Sequence, residues 1–143
     1  MSPSLRRAAA LLPVPLVAGA LLLPGNASHA DAPPELDDPA AAAATWAVSQ
    51  LTDGTHASGD HGLTADLALG FAATGTAGDA AERATDWLAA TADDYITRGD
   101  PGSGTVFAGG LAKLALVASV EHRDPSDFGG LDLTALLLER LGD

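Results

Sequence analysis

The chain has 143 residues, nineteen of them acidic against seven lysines and arginines, a formal charge of −12, and no cysteine. Without cysteine it has no disulfide, no thiolate metal ligand and no thioester nucleophile. So acidic a surface repels phosphate backbones and anionic headgroups, which argues against nucleic acid and peripheral membrane binding.

The first predicted element is a secretory signal peptide over residues 1–30. Arg6 and Arg7 precede an apolar run from Ala8 to Leu23, and Ser28-His29-Ala30 supplies small residues before a cut expected after Ala30. The run holds Pro13 and Pro15 and is shorter than the about twenty apolar residues of a membrane span. Ser4-Leu5 and Ala8-Ala9 fit a twin-arginine signal poorly, so the general export route is expected. The Asn26-Ala27-Ser28 glycosylation triplet falls in the piece that is removed. The mature chain, residues 31–143, then keeps five cations against nineteen carboxylates, a formal charge of −14. It is expected outside the cell or at its surface as one modest domain with no transmembrane segment.

Residues 31–38 are proline-rich and acidic and read as a flexible linker. Asp38-Pro39 predicts a helix start, because an aspartate accepts from the first free amides and proline is pre-set for the first helical position. This first helix runs to about Leu51, with Ala43, Trp46, Ala47 and Leu51 on its apolar side, and Asp53-Gly54 closes it. A second helix, about Leu63 to Thr74, carries Leu63, Leu67 and Phe71 on one stripe, has Asp66 as its only charge and is expected to be buried. The third, about Asp79 to Thr97, opens on a capping-box spacing, Asp79 to Glu82. It sets Ala84, Trp87, Leu88, Thr91 and Tyr95 against a solvent face of Glu82, Arg83, Asp86, Asp93 and Asp94.

After the turn-rich Arg98 to Gly104, a fourth helix from about Val106 to Val120 is apolar on most sides, with Lys113 its only charge, and is expected to be buried too. Asp124-Pro125 opens a turn, and a fifth segment from Leu131 to Leu141 aligns Leu133, Leu136, Leu137 and Leu141. No run alternates with a period of two over strand length, so the fold class is all-α. Solvent-sided and buried helices take turns. Trp46 and Trp87 lie 41 residues apart in similar settings, and Leu67-Ala68 and Leu111-Ala112 lie 44 apart. Such offsets suggest helical-hairpin repeats in which neighbours cover one another's apolar faces, and they do not fit the roughly 34-residue tetratricopeptide period.

Four stretches carry a resemblance: Trp46 with Gln50-Leu51-Thr52-Asp53-Gly54, Asp60 to Asp66, Gly110 to Ala115, and Asp124-Pro125 with Phe128-Gly129-Gly130. Together they resemble the exported bacterial prenyltransferase and squalene-oxidase repeat proteins of the terpenoid cyclase and protein prenyltransferase superfamily. The resemblance implies an α/α toroid with inner helices around a cavity and outer helices as a wall, a fold shared with transcobalamin-type carriers. A closed toroid of this kind has about six hairpins, so residues 39–143 would form only part of one. The superfamily's catalytic residues do not match. Asp37-Asp38 and Asp93-Asp94 lack the preceding aspartate of a triterpene-cyclase acid, Gln50 and Trp46 stand in the reverse order of the Gln-Trp repeat, and cysteine is absent.

No hydrolase elbow and no phosphate loop occur either. Asp53, His56, Asp60 and His61 cluster before the second helix, but their spacing is not that of a recognised metal site, and a glycine-rich acidic loop explains them as well. Asp66 and Lys113 are lone charges on apolar helices; the helix dipole accounts for the first and an extended stem reaching water for the second. Trp46, Trp87 and Phe107 suit wall packing. The resulting candidates for ligand contact are Asp60, His61, Asp66, Phe107 and Lys113, with no catalytic residue, metal or cofactor assigned. The expectation is a secreted, non-catalytic module that binds a small hydrophobic or corrinoid-like molecule or an extracellular protein. The alternatives are a fragment of a cyclase-like enzyme and a self-associating structural repeat.

Overall fold

The computed structural model describes residues 36–142, which lie within one compact unit. The signal peptide, its cut after Ala30 and most of the predicted linker lie outside the described residues. Among the described residues the fold is all-α: α1 Pro39–Ser49, α2 His61–Thr74, α3 Gly78–Ala90, α4 Ala92–Thr97, α5 Ala108–Val120 and α6 Leu133–Gly142. None of these helices is long and apolar enough to cross a membrane.

Helix α1 starts as predicted, with the Asp38 carboxylate accepting from the Ala41 amide at 2.9 Å and Pro39 in the first turn. It ends two residues earlier than expected. Ser49 Oγ donates to the Trp46 carbonyl at 2.6 Å, and the Gln50 and Leu51 amides tighten into bonds to Ala47 and Val48. The buried side is Ala44 and Ala47, packed with Phe71, Ala80 and Ala81. Trp46 is 67% exposed, so it is not a wall-packing anchor. Two small residues three apart let α1 approach α2 closely, and that turns the indole to the other side.

Helix α2 is the centre of the domain and packs against α1, α3 and α5. Asp60 caps it, its carboxylate accepting from the Leu63 amide at 2.8 Å, so the helix opens at His61 rather than Leu63. Its buried residues are Thr64, Ala65, Ala68 and Phe71, while Leu63 is 50% exposed, a stripe turned by one position from the expected one. Thr64 explains the turn. Its hydroxyl accepts from the Ala57 amide at 3.0 Å and donates to the Asp60 carbonyl at 2.6 Å, fastening the preceding loop to the core. Thr64→Val keeps the shape and strands the buried Ala57 amide, so a loss of about 1–3 kcal/mol is expected by chemical denaturation.

The predicted third helix is two helices. Asp79 is not its cap: Ala77, in the left-handed conformation at φ 63°, precedes α3, and Asp79 sits within the first turn, where its charge suits the positive end of the dipole. At Thr91 the backbone leaves the helical region (φ −119°), and its hydroxyl donates to the Trp87 carbonyl at 2.8 Å. The short α4 that follows ends on Arg98 in the left-handed region, with the Gly99 amide bonded to the Asp94 carbonyl at 2.8 Å.

Helix α5 is buried along Gly110, Leu111, Leu114, Val117 and Ala118. It is not apolar-packed on most sides, because Leu116 is 52% exposed and Val120 is exposed as well. Residues 121–132 fold back so that Phe128 enters the core and Asp132 caps α6 by accepting from the Ala135 amide at 2.8 Å. In α6 Leu133 is buried, whereas Leu141, expected on the same face, is 81% exposed. The main core joins Ala65, Ala68, Leu88, Ile96, Leu111, Leu114, Val117, Phe128 and Leu133 across all elements but α1. Asp86 and Asp93 face solvent.

Candidate functional site

Where the loop before α2, the α3–α4 break and the start of α5 meet, the aromatic rings gather. His56 stacks on Trp87 with ring centres 4.6 Å apart and 12° between planes, and His61 lies against the same indole at 4.7 Å and 32°. His61 also stacks on Tyr95 (5.2 Å, 7°), and Tyr95 meets Phe107 edge to face (6.4 Å, 78°). The Arg98 guanidinium carbon stands 4.1 Å from the centre of the Phe107 ring. The array ends in an open hollow of about 660 Å³ lined by His61, Asp94, Tyr95, Arg98, Gly99 and Phe107.

Local sequence builds this arrangement. The loop turns back on itself through the Thr52 amide to the His56 carbonyl (2.7 Å), and Arg83 Nε holds the Gly54 carbonyl at 3.0 Å, fixing the loop to α3. Kinking at Thr91 redirects α4 so that Tyr95 faces the first turn of α2. The Phe107 amide donates to the Ile96 carbonyl at 2.6 Å, which places its ring above the start of α5. Gly110 makes room there, since a Cβ at this position would lie 2.9 Å from Phe107 Cδ1 and 3.4 Å from Tyr95 Cε1.

His61 Nε2 is buried and has no hydrogen-bond partner among the described residues. Burial disfavours the imidazolium and holds the His61 pKa below its ordinary value; the Asp94 and Asp60 carboxylates oppose this, and His56 adds to it. The native state therefore prefers neutral His61. That preference contributes fully above the ordinary histidine pKa and is lost as pH falls through the lower native one. Thermal melting followed between about pH 7.5 and about pH 5 should fall more steeply for the native sequence than for His61→Gln.

Of the five candidates, His61 and Phe107 line the hollow. Asp60 stands beside it, with its carboxylate engaged as the α2 cap. Asp66 and Lys113 meet each other instead, Nζ to Oδ1 at 2.8 Å, joining α2 to α5 at a half-open surface. The carboxylate bond raises the Lys113 pKa above its ordinary value. An exposed pair of this kind is worth about 0.2–1 kcal/mol. Among the described residues no group of three or more histidine, aspartate or glutamate side chains is placed to hold a metal ion. Sequence reasoning placed Tyr95 on an apolar face and Asp94 on a solvated one, and read Arg98-Gly99 as turn, so it missed that the three elements converge. The one signal available was Arg98-Gly99-Asp100-Pro101, which marks an abrupt end to the helix bearing Tyr95. Comparisons with protein-family models, with curated proteins and with solved structures gave no match.

Proposed function

We propose that the chain is a secreted, non-catalytic module built on part of an α/α toroid, and that the hollow beside His61, Tyr95 and Phe107 binds a small, mainly apolar molecule. The observation that carries this is the ring array of His61, Tyr95 and Phe107 lining an open hollow of about 660 Å³. Its volume falls in the roughly 300–1,000 Å³ range of small-molecule sites and suits a compact ring system better than a corrinoid. The resemblance to prenyltransferase and squalene-oxidase repeat proteins supports the toroid reading, as does the contact between α2 and α5, which carry one lysine or carboxylate each. Export rests on the first thirty residues, and secretion of the full chain with Asp31 at the mature N-terminus is the expected result of N-terminal sequencing.

Binding is tested with N-phenyl-1-naphthylamine, a neutral apolar fluorophore. Its addition should perturb the backbone amide signals of His61, Tyr95 and Gly99 and raise its own emission. Perturbation confined to the apolar groove that Ala43, Ala47, Leu67 and Phe71 line between α1 and α2, or none at all, rejects the site. A second reading, association between copies, is favoured by Leu138 and Leu141 on α6 and Leu116 on α5, all exposed. Sedimentation velocity distinguishes the two, since the binding module stays monomeric as concentration rises.

A further inference from the structure

We infer that the hollow beside His61 takes an aromatic zwitterion, an α-amino acid with a planar ring side chain or a close analogue, its carboxylate on Arg98 and its ammonium on Asp94. This rests on the binding reading above and adds the charge pattern of the ligand. The cations of the domain are otherwise engaged: Arg83 with the Gly54 carbonyl, Lys113 with Asp66, Arg123 with Asp86 and Glu82, and Arg140 with a partner of its own. Among the described residues no hydrogen-bond acceptor or carboxylate meets the Arg98 guanidinium; it rests on a ring. A ring offers its N–H groups no carboxylate or carbonyl, so the guanidinium fork stays open to grip a carboxylate through two parallel bonds. Arg98 ends α4 with a left-handed backbone, φ 55°.

Asp94 lies four residues before Arg98, but Arg98 leaves α4 in the left-handed conformation and so is carried off the face on which an i, i+4 pair forms. No ion pair joins these two, and both line the same hollow. A simple anion there would meet Arg98 and be opposed by Asp94; a simple cation would meet the reverse. A zwitterion satisfies both, and its zero net charge avoids repulsion by so acidic a chain. Tyr95 and Phe107 meet at 78° and give the hollow aromatic surface for a ligand ring to pack against.

The test titrates the protein with L-phenylalanine, with N-acetylphenylalanine, which lacks the ammonium, and with phenethylamine, which lacks the carboxylate, following the Tyr95 and Phe107 ring signals by NMR. Phenylalanine should bind at least about tenfold more tightly than either analogue. Arg98→Gln should erase its advantage over phenethylamine, and Asp94→Asn its advantage over N-acetylphenylalanine. Both residues are exposed, so unchanged melting of the two variants is the folding control. Equal binding of all three compounds, or equal weakening of all three by either variant, overturns the inference. Binding of N-phenyl-1-naphthylamine without any response to phenylalanine overturns it alone; no response to either compound removes the binding reading as well.

Discussion

Gly129→Ala is expected to cost about 3 kcal/mol or more, since an added Cβ meets closer backbone here than at any other described glycine. Gly129 has φ +64°, and a Cβ there would stand 1.9 Å from the Ala89 carbonyl oxygen and 2.8 Å from its carbon. The backbone conformation alone costs a residue with a side chain of order 1 kcal/mol, and a contact that only backbone movement can relieve adds about 1–3 kcal/mol. Ala89 lies near the end of α3, two residues after Trp87, so the displacement reaches the ring array as well as the core. A fall of about 12 °C or more in melting temperature by circular dichroism corresponds to this loss in a domain of this size. Gly130→Ala is the control. It has a similar backbone, φ +82°, but open space at the Cβ position, so only the conformational cost of about 1 kcal/mol applies. Equal losses in the two variants would remove the close approach from the account.

What could be read from the sequence was whatever local chemistry decides. Asp38-Pro39 marked the start of α1 because cap and proline act within one turn, and the acidic residues of α3 and α4 face water because nothing else could hold them. The phase of α2 could not be read. Its residues are nearly all small or apolar, so every stripe looks alike, and the one that is buried follows from Thr64 holding the Ala57 amide, a tertiary bond. The start of α3 misled for a related reason: Asp79 has good capping chemistry, but Ala77 takes the left-handed turn, which local preference assigns to glycine. Asp66 and Lys113 each stood out as an isolated charge; their pairing across 47 residues becomes visible only once α2 and α5 touch. The candidate site was half legible. His61 and Phe107 are unusual where they stand, but Asp94 and Arg98 look like any exposed charges until the break at Thr91 aims α4 at the start of α5.

Leu111→Ala should destabilise by about 2–5 kcal/mol, and Leu116→Ala, in the same helix, by no more than about 0.5 kcal/mol. Composition makes the two leucines equivalent, since both lie in a helix whose only charge is Lys113. Position separates them. Leu111 has no exposed surface and packs in the main core with Ala68, Leu88 and Leu114, so truncation removes apolar contact and leaves a cavity that fixed helices on several sides cannot close. Leu116 keeps half of its surface in water, and its truncation leaves no void. Urea unfolding of both variants measures the difference, with an unchanged dependence on denaturant showing that the native state is otherwise intact. A large loss at Leu116 would mean that this side of α5 is covered in solution, and the monomeric binding module would then give way to association between copies.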